Sequence, residues 1–121
     1  MRKRVIGISF AALLAAGSAW SHHSGAQYDF SKRVSVHGTV KSIDVRNPHL
    51  KLVMEVTDEA GRTKEIEFEG ESRNNLYRAG WRTTDINVGD ELTIGFAPPK
   101  DSSAEVGGYI RAFTLANGKE F

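Results

Sequence analysis

Leu50, Leu52, Met54 and Val56 alternate with Lys51, Val53, Glu55 and Thr57, a strict period of two that only an extended strand with one buried face satisfies. The neighbouring segments repeat the pattern between turn signals. Val34 to Val45 reads as a long strand whose apolar parity changes midway: Val34, Val36 and Val40 share one face, Ile43 and Val45 the other. A bulge or strong bend near Lys41 and Ser42 reconciles them. Arg46-Asn47-Pro48 is the turn between these two strands, and Asp58-Glu59-Ala60-Gly61 closes the next hairpin.

A third strand over Arg62 to Glu69 puts Lys64, Ile66 and Phe68 on one face and Glu65, Glu67 and Glu69 on the other, which reads as a solvated acidic face. Ser72 then caps a short helix through Arg78, with Gly80 placed to end it and Leu76 and Tyr77 as its expected buried residues. Trp81 is expected to plug the core at the helix exit. Asn87-Val88-Gly89-Asp90 turns the chain into a fourth strand, Glu91 to Phe96. Pro98-Pro99 and residues 101–108 form a polar loop, Tyr109 to Leu115 a fifth strand, and Asn117-Gly118 a tight turn.

Three strands, a helix and two strands, with a long bent first strand, is the order of a small all-β, five-stranded OB-fold-like barrel with one short helix between strands 3 and 4. An open β-sandwich of the same strands is the alternative. The barrel domain occupies residues 34–121, after a polar lead at 22–33 in which Tyr28, Asp29 and Phe30 either pin the lead onto the barrel or are disordered.

Residues 1–21 have the anatomy of an export signal: basic Arg2, Lys3 and Arg4, an apolar run from Val5 to Ala16, and small residues Ala19 and Ser21 at the minus-three and minus-one positions. The apolar run is too short to span a bilayer stably. The expectation is a periplasmic protein with no stable membrane insertion of the mature chain. Without Arg2, Lys3 and Arg4, thirteen basic residues face fifteen acids, so nucleic acid is not expected as a partner. There is no cysteine, which rules out disulfides and thiolate chemistry and restricts any metal site to nitrogen and oxygen donors.

All four histidines lie between positions 22 and 49. In a regular ladder with the turn at Arg46 to Pro48, His37 and His49 stand eight residues apart, roughly 26 Å at about 3.3 Å per residue, so the two do not share an ion. His37 falls on the outward parity, and His49 reads as a turn residue that hydrogen-bonds locally. The amino-terminal pair is different. Cleavage after Ser21 makes His22 the first residue, so its amine and imidazole chelate together with His23 alongside. Cleavage after Ala19 places His22 third behind a free amine. Both products suit copper(II) or nickel(II), which favour nitrogen donors in tetragonal geometry. The candidate metal ligands are therefore His22, His23 and His49, with copper as the expected metal; a polar lead without function is the simpler account of the same residues.

His22-His23-Ser24, Tyr28-Asp29, Gly38-Thr39-Val40, Asn47-Pro48-His49, Glu69-Gly70 with Ser72, Gly80-Trp81, Val88-Gly89-Asp90 and Asn117-Gly118, in that order, resemble a family of small exported bacterial proteins catalogued as a domain of unknown function. The resemblance implies a periplasmic location and a small barrel like the OB-fold, and it marks His22, His23, Asn47, His49 and Trp81 as motif positions. His37 matches none. Arg46 stands where relatives often carry tryptophan.

Two functions follow as expectations. The first is a small periplasmic binding protein that takes copper or another transition metal through its mature amino terminus and histidines. The alternative is a metal-independent adaptor that uses a barrel face or the 98–108 loop to hold a ligand or an envelope partner protein. An enzyme is not expected, because no nucleophile elbow or spaced carboxylate pair is present.

Overall fold

The computed structural model describes residues 26–121, so the proposed signal segment and the His22-His23 pair lie outside the described residues. Five strands and one short helix make up a mostly β chain: β1 Val34–Asp44, β2 Lys51–Thr57, β3 Thr63–Glu69, α1 Arg73–Arg78, β4 Glu91–Ala97 and β5 Gly108–Leu115. All five strands belong to one sheet, paired in the order β1-β2-β3-β5-β4 with β4 returning to β1.

The long first strand makes this order possible. Its first half, Val34 to Thr39, pairs with Phe96 to Glu91 of β4, and its second half, Thr39 to Asp44, pairs with Glu55 to Lys51 of β2. Between the halves the register slips, with Val40 opposite Met54 and Ser42 opposite Val53. Lys41 is the extra residue. One unpaired residue reverses the parity, so Val40 is buried and Ile43 also packs on the core. Gly38 sits where the strand passes closest to β2, and a Cβ there would lie 2.5 Å from the Glu55 carbonyl oxygen. The β1–β4 and β2–β3 pairs are regular and β4–β5 slips once between Gly95 and Phe96, whereas β3 and β5 run parallel and meet only at Phe68 with Gly108 and Glu69 with Tyr109.

Alternation then decides what is buried. Leu52 and Met54 of β2, Phe68 of β3, Leu92 and Ile94 of β4 and Phe113 of β5 enter one apolar cluster, joined by Leu50, Leu76, Trp81 and Ile86 from the connections. Trp81 has no exposed surface. Phe68 and Phe96 pack ring against ring at 5.0 Å.

The helix is short, and its ends are built by side chains. Ser72 Oγ accepts from the Asn75 amide at 3.2 Å, the capping bond expected from the sequence. Gly80 follows the Ala79 cap with φ +97°, a conformation that glycine adopts without steric cost. Only Leu76 of the helix is buried. Tyr77, expected inside, is instead exposed, because successive helical side chains diverge by about 100° and a six-residue helix offers the core a single position. Its ring lies 6.1 Å from that of Trp81, and the Arg82 guanidinium stands over it, 5.3 Å from the ring centre.

Candidate functional site

The turn between β1 and β2 does more than reverse the chain. The Arg46 carbonyl accepts from the Arg73 amide at 3.1 Å and Asn47 Oδ1 from the Asn74 amide at 3.3 Å, so this turn occupies two of the free N–H groups that begin α1. Beyond it, Leu50 exchanges backbone hydrogen bonds with Glu71 and Gly70, at 3.1 and 2.9 Å. His49 is thereby held against the chain leaving β3.

Its ring nitrogen Nδ1 lies 3.2 Å from the Gly70 carbonyl oxygen. A carbonyl can only accept, so Nδ1 carries the hydrogen, and in the neutral ring Nε2 keeps its lone pair. The hydrogen bond expected at His49 is thus present but spans 21 residues rather than staying local. A second wall comes from β5, where the Tyr109 ring meets the imidazole edge-on at 6.0 Å and 80°.

Tyr109 continues into an aromatic cluster that fastens the lead. Its ring lies 5.6 Å from Tyr28 and 5.5 Å from Phe30. Tyr28, 1% exposed, pairs with Pro99 as an isolated bridge, and its hydroxyl donates to Glu69 Oε2 at 2.9 Å. The Asp29 amide bonds the Pro98 carbonyl at 2.8 Å and the Lys100 amide the Gln27 carbonyl at 2.8 Å. Of the two alternatives for the lead, residues 27–30 take the pinned one.

Burial, and next the hydrogen bond and charge of Glu69, push the Tyr28 phenol well above the ordinary value of 10.0. Burial, then Glu71 and Glu69, raise Tyr109 to about 12. Both hydroxyls therefore remain protonated at neutral pH. In this corner the imidazole is the nitrogen donor, and the phenols form a neutral wall.

His37 lies elsewhere. It is exposed on β1, its Nδ1 3.1 Å from Thr93 Oγ1 of β4, away from the turn that carries His49. Among the described residues no three His, Asp or Glu side chains converge on a common point. The acidic ladder of β3 divides into separate roles: Glu69 accepts from Tyr28, Glu67 meets Lys51 at 3.4 Å, and Glu65 is exposed beside an open hollow of about 400 Å³ floored by Val53 and Val106. No helix among the described residues is long and apolar enough to cross a membrane.

Sequence reasoning missed two features of this region. Tyr109 was read only as a strand residue, and the pairing of Phe68 with Gly108 that brings it beside His49 has no local signature. The basic group formed by Arg33 and Arg111 around Phe30 was missed for the same reason, since 78 positions separate its two arginines.

A family model matches residues 11–108. The chain belongs to that family of unknown function, DUF6152. The match takes in His22, His23, Asn47, His49 and Trp81, and it stops short of Asn117-Gly118. No curated protein matches the chain significantly.

Proposed function

We propose that this member of the family is an exported, periplasmic binding module that takes copper through nitrogen donors, with the mature amino terminus, His22 and His23 as primary ligands and His49 completing the set. Removal of the signal segment at 1–21 frees the amine of the new first residue. The scaffold in this reading is a small OB-fold-like barrel: the strand pairing returns to its start, and the helix falls between β3 and β4.

The observation that carries the reading is the orientation of His49. Metal-binding imidazoles almost always give their second nitrogen to a carbonyl or carboxylate, which fixes the tautomer. The Gly70 carbonyl does this for Nδ1 and leaves Nε2 as the donor. The lead supports the same reading through reach. Two ring-to-ring steps of 5.6 and 6.0 Å join Tyr28 to His49, while the five residues from His23 to Tyr28 span up to about 17 Å when extended. Nitrogen donors and no thiolate favour copper(II) over softer or harder ions.

The test is copper titration, followed by electron paramagnetic resonance, of protein whose amino terminus has been confirmed by mass spectrometry. A tetragonal spectrum with nitrogen hyperfine structure is expected, weakened by at least tenfold in affinity when an extra methionine precedes His22. It should fade at acid pH, as protons compete with the metal for the amine and imidazole nitrogens. A free-ion spectrum at every protein concentration would refute the copper reading and leave the adaptor alternative, in which the same barrel holds an envelope partner without metal.

A further inference from the structure

The face of the sheet where the lead runs into β1 carries a hollow of about 200 Å³ lined by Phe30, Ser31, Lys32, Arg33 and Arg111. Its construction begins with the register shift between Gly95 and Phe96, opposite Ala112 and Ile110, so that Arg111 stands at an irregularity of β5 and points away from the core. The Arg111 guanidinium lies 5.3 Å from the centre of the Phe30 ring. That ring is 43% exposed and is held in place by edge contacts with Tyr28 and Tyr109 at 6.3 and 5.5 Å.

Arg33 lines the same hollow. A Cβ on Gly95 would meet Arg33 Nε at 2.8 Å and Nη2 at 3.1 Å, so the guanidinium rests on bare β4 backbone that any other residue would cover. Among the described residues neither Arg33 nor Arg111 has a carboxylate within ion-pair distance, whereas Lys32 is paired with Asp29 at 3.4 Å. Two guanidiniums that line one hollow with an exposed aromatic ring, and rest on backbone and ring rather than on acids, leave their forked donors free for an external oxyanion.

We propose that Arg33 and Arg111 form a binding site for a phosphate monoester or diester, with Phe30 as the surface for the group the phosphate carries. The site does not depend on the copper reading, since neither arginine belongs to the His49 corner. A phosphate presents the tetrahedral array of oxygens that two arginine forks bridge. Asp29, tied to Ser31 and Lys32, keeps the lead end of the hollow neutral and puts the positive charge at the two arginines.

Titration of the full mature chain with inorganic phosphate and with phenyl phosphate, at constant ionic strength against chloride, tests the proposal by NMR of the arginine Nε–H groups and the Phe30 ring. Saturable shifts at Arg33, Arg111 and Phe30 are expected, with phenyl phosphate tighter than phosphate. Arg111→Gln and Arg33→Gln should each lower affinity by about tenfold or more. Gly95→Ala provides the finer control, because it moves the Arg33 guanidinium off the β4 backbone without removing its charge; affinity should fall while the thermal midpoint stays near that of the parent. Sedimentation with phosphatidylglycerol vesicles separates the sources: co-sedimentation lost in the double glutamine variant assigns a lipid headgroup, and phenyl phosphate binding without co-sedimentation assigns a soluble phosphate. Equal shifts with chloride, or unchanged phosphate affinity in the double variant, would overturn the site.

Discussion

The Trp81 end and the His49 end of this small chain solve opposite problems. Around Trp81 the helix and the connection after it deliver Leu76, Trp81 and Ile86 into one apolar cluster, held by backbone hydrogen bonds such as Trp81 N–H to the Leu76 carbonyl; the indole Nε1–H is buried without a partner among the described residues. Around His49 the burial is partial, the Gly70 carbonyl engages Nδ1 and Glu69 engages the Tyr28 hydroxyl, and the second imidazole nitrogen has no hydrogen-bond partner among the described residues. The lesson is a division of labour. The first region spends apolar area to hold the sheet closed, and the second uses that rigidity to fix a tautomer and to pin a lead.

Removing the plug should have the largest effect. Trp81→Ala opens a large cavity in a core that has no disulfide to support it, and should cost about 3–5 kcal/mol, enough to unfold much of the population near 37 °C. Trp81→Phe should cost much less, since the lost volume is partly offset by removing a buried donor that has no acceptor. Chemical denaturation of the two variants checks both statements. Equal losses would mean that the indole N–H finds a partner in solution and that the two regions are less different than their hydrogen bonding indicates.

The next largest effect lies in the pinned lead at the His49 end. Tyr28→Phe deletes the hydroxyl that donates to the Glu69 carboxylate at 2.9 Å, and should cost about 1.5–3 kcal/mol, the usual range for a hydrogen bond to a charged group. The raised phenols also give the chain an alkaline limit. Folded Tyr28 and Tyr109 hold their protons above the ordinary value of 10.0, so the folded state binds more protons than the unfolded one at high pH. Their contribution is complete below pH 10.0 and is lost as pH rises from there toward about 12. Thermal midpoints should therefore fall between pH 10 and 12, less steeply in Tyr28→Phe, and identical slopes would remove Tyr28 from the account.

How far the sequence carried these regions differs for the same physical reason. Local pattern was enough for the strands, the bulge at Lys41, the Ser72 cap and the Gly80 stop, because each is decided by parity or by dihedral preference within a few residues. Trp81 was legible as a plug because it follows the helix exit directly. Tyr77 was misplaced because adjacency to a buried Leu76 says nothing about direction on so short a helix. At the other end almost nothing was local. His49 meets Gly70, Tyr28 meets Glu69 and Pro99, and Arg33 meets Gly95, contacts that exist only once β3, β4 and β5 are aligned. A single sequence marks such residues by type but not by company.

The smallest expected change in stability is the one that speaks most directly to function. His49→Gln keeps a donor that can reach the Gly70 carbonyl and retains most of the packing against Tyr109, so folding should weaken by about 1 kcal/mol or less. What it removes is the unprotonated Nε2. If His49 completes the copper site, this variant should bind the metal through the amino-terminal chelate alone, with weaker affinity and an altered nitrogen pattern in the resonance spectrum. His37→Gln, on exposed β1 against Thr93, serves as the matched control and should alter neither. A copper spectrum identical across parent, His37→Gln and His49→Gln would confine any metal binding to the lead and reduce His49 to a bracket between the β1–β2 turn and Gly70; a change confined to His49→Gln would tie the pinned lead, the fixed tautomer and the metal into one site.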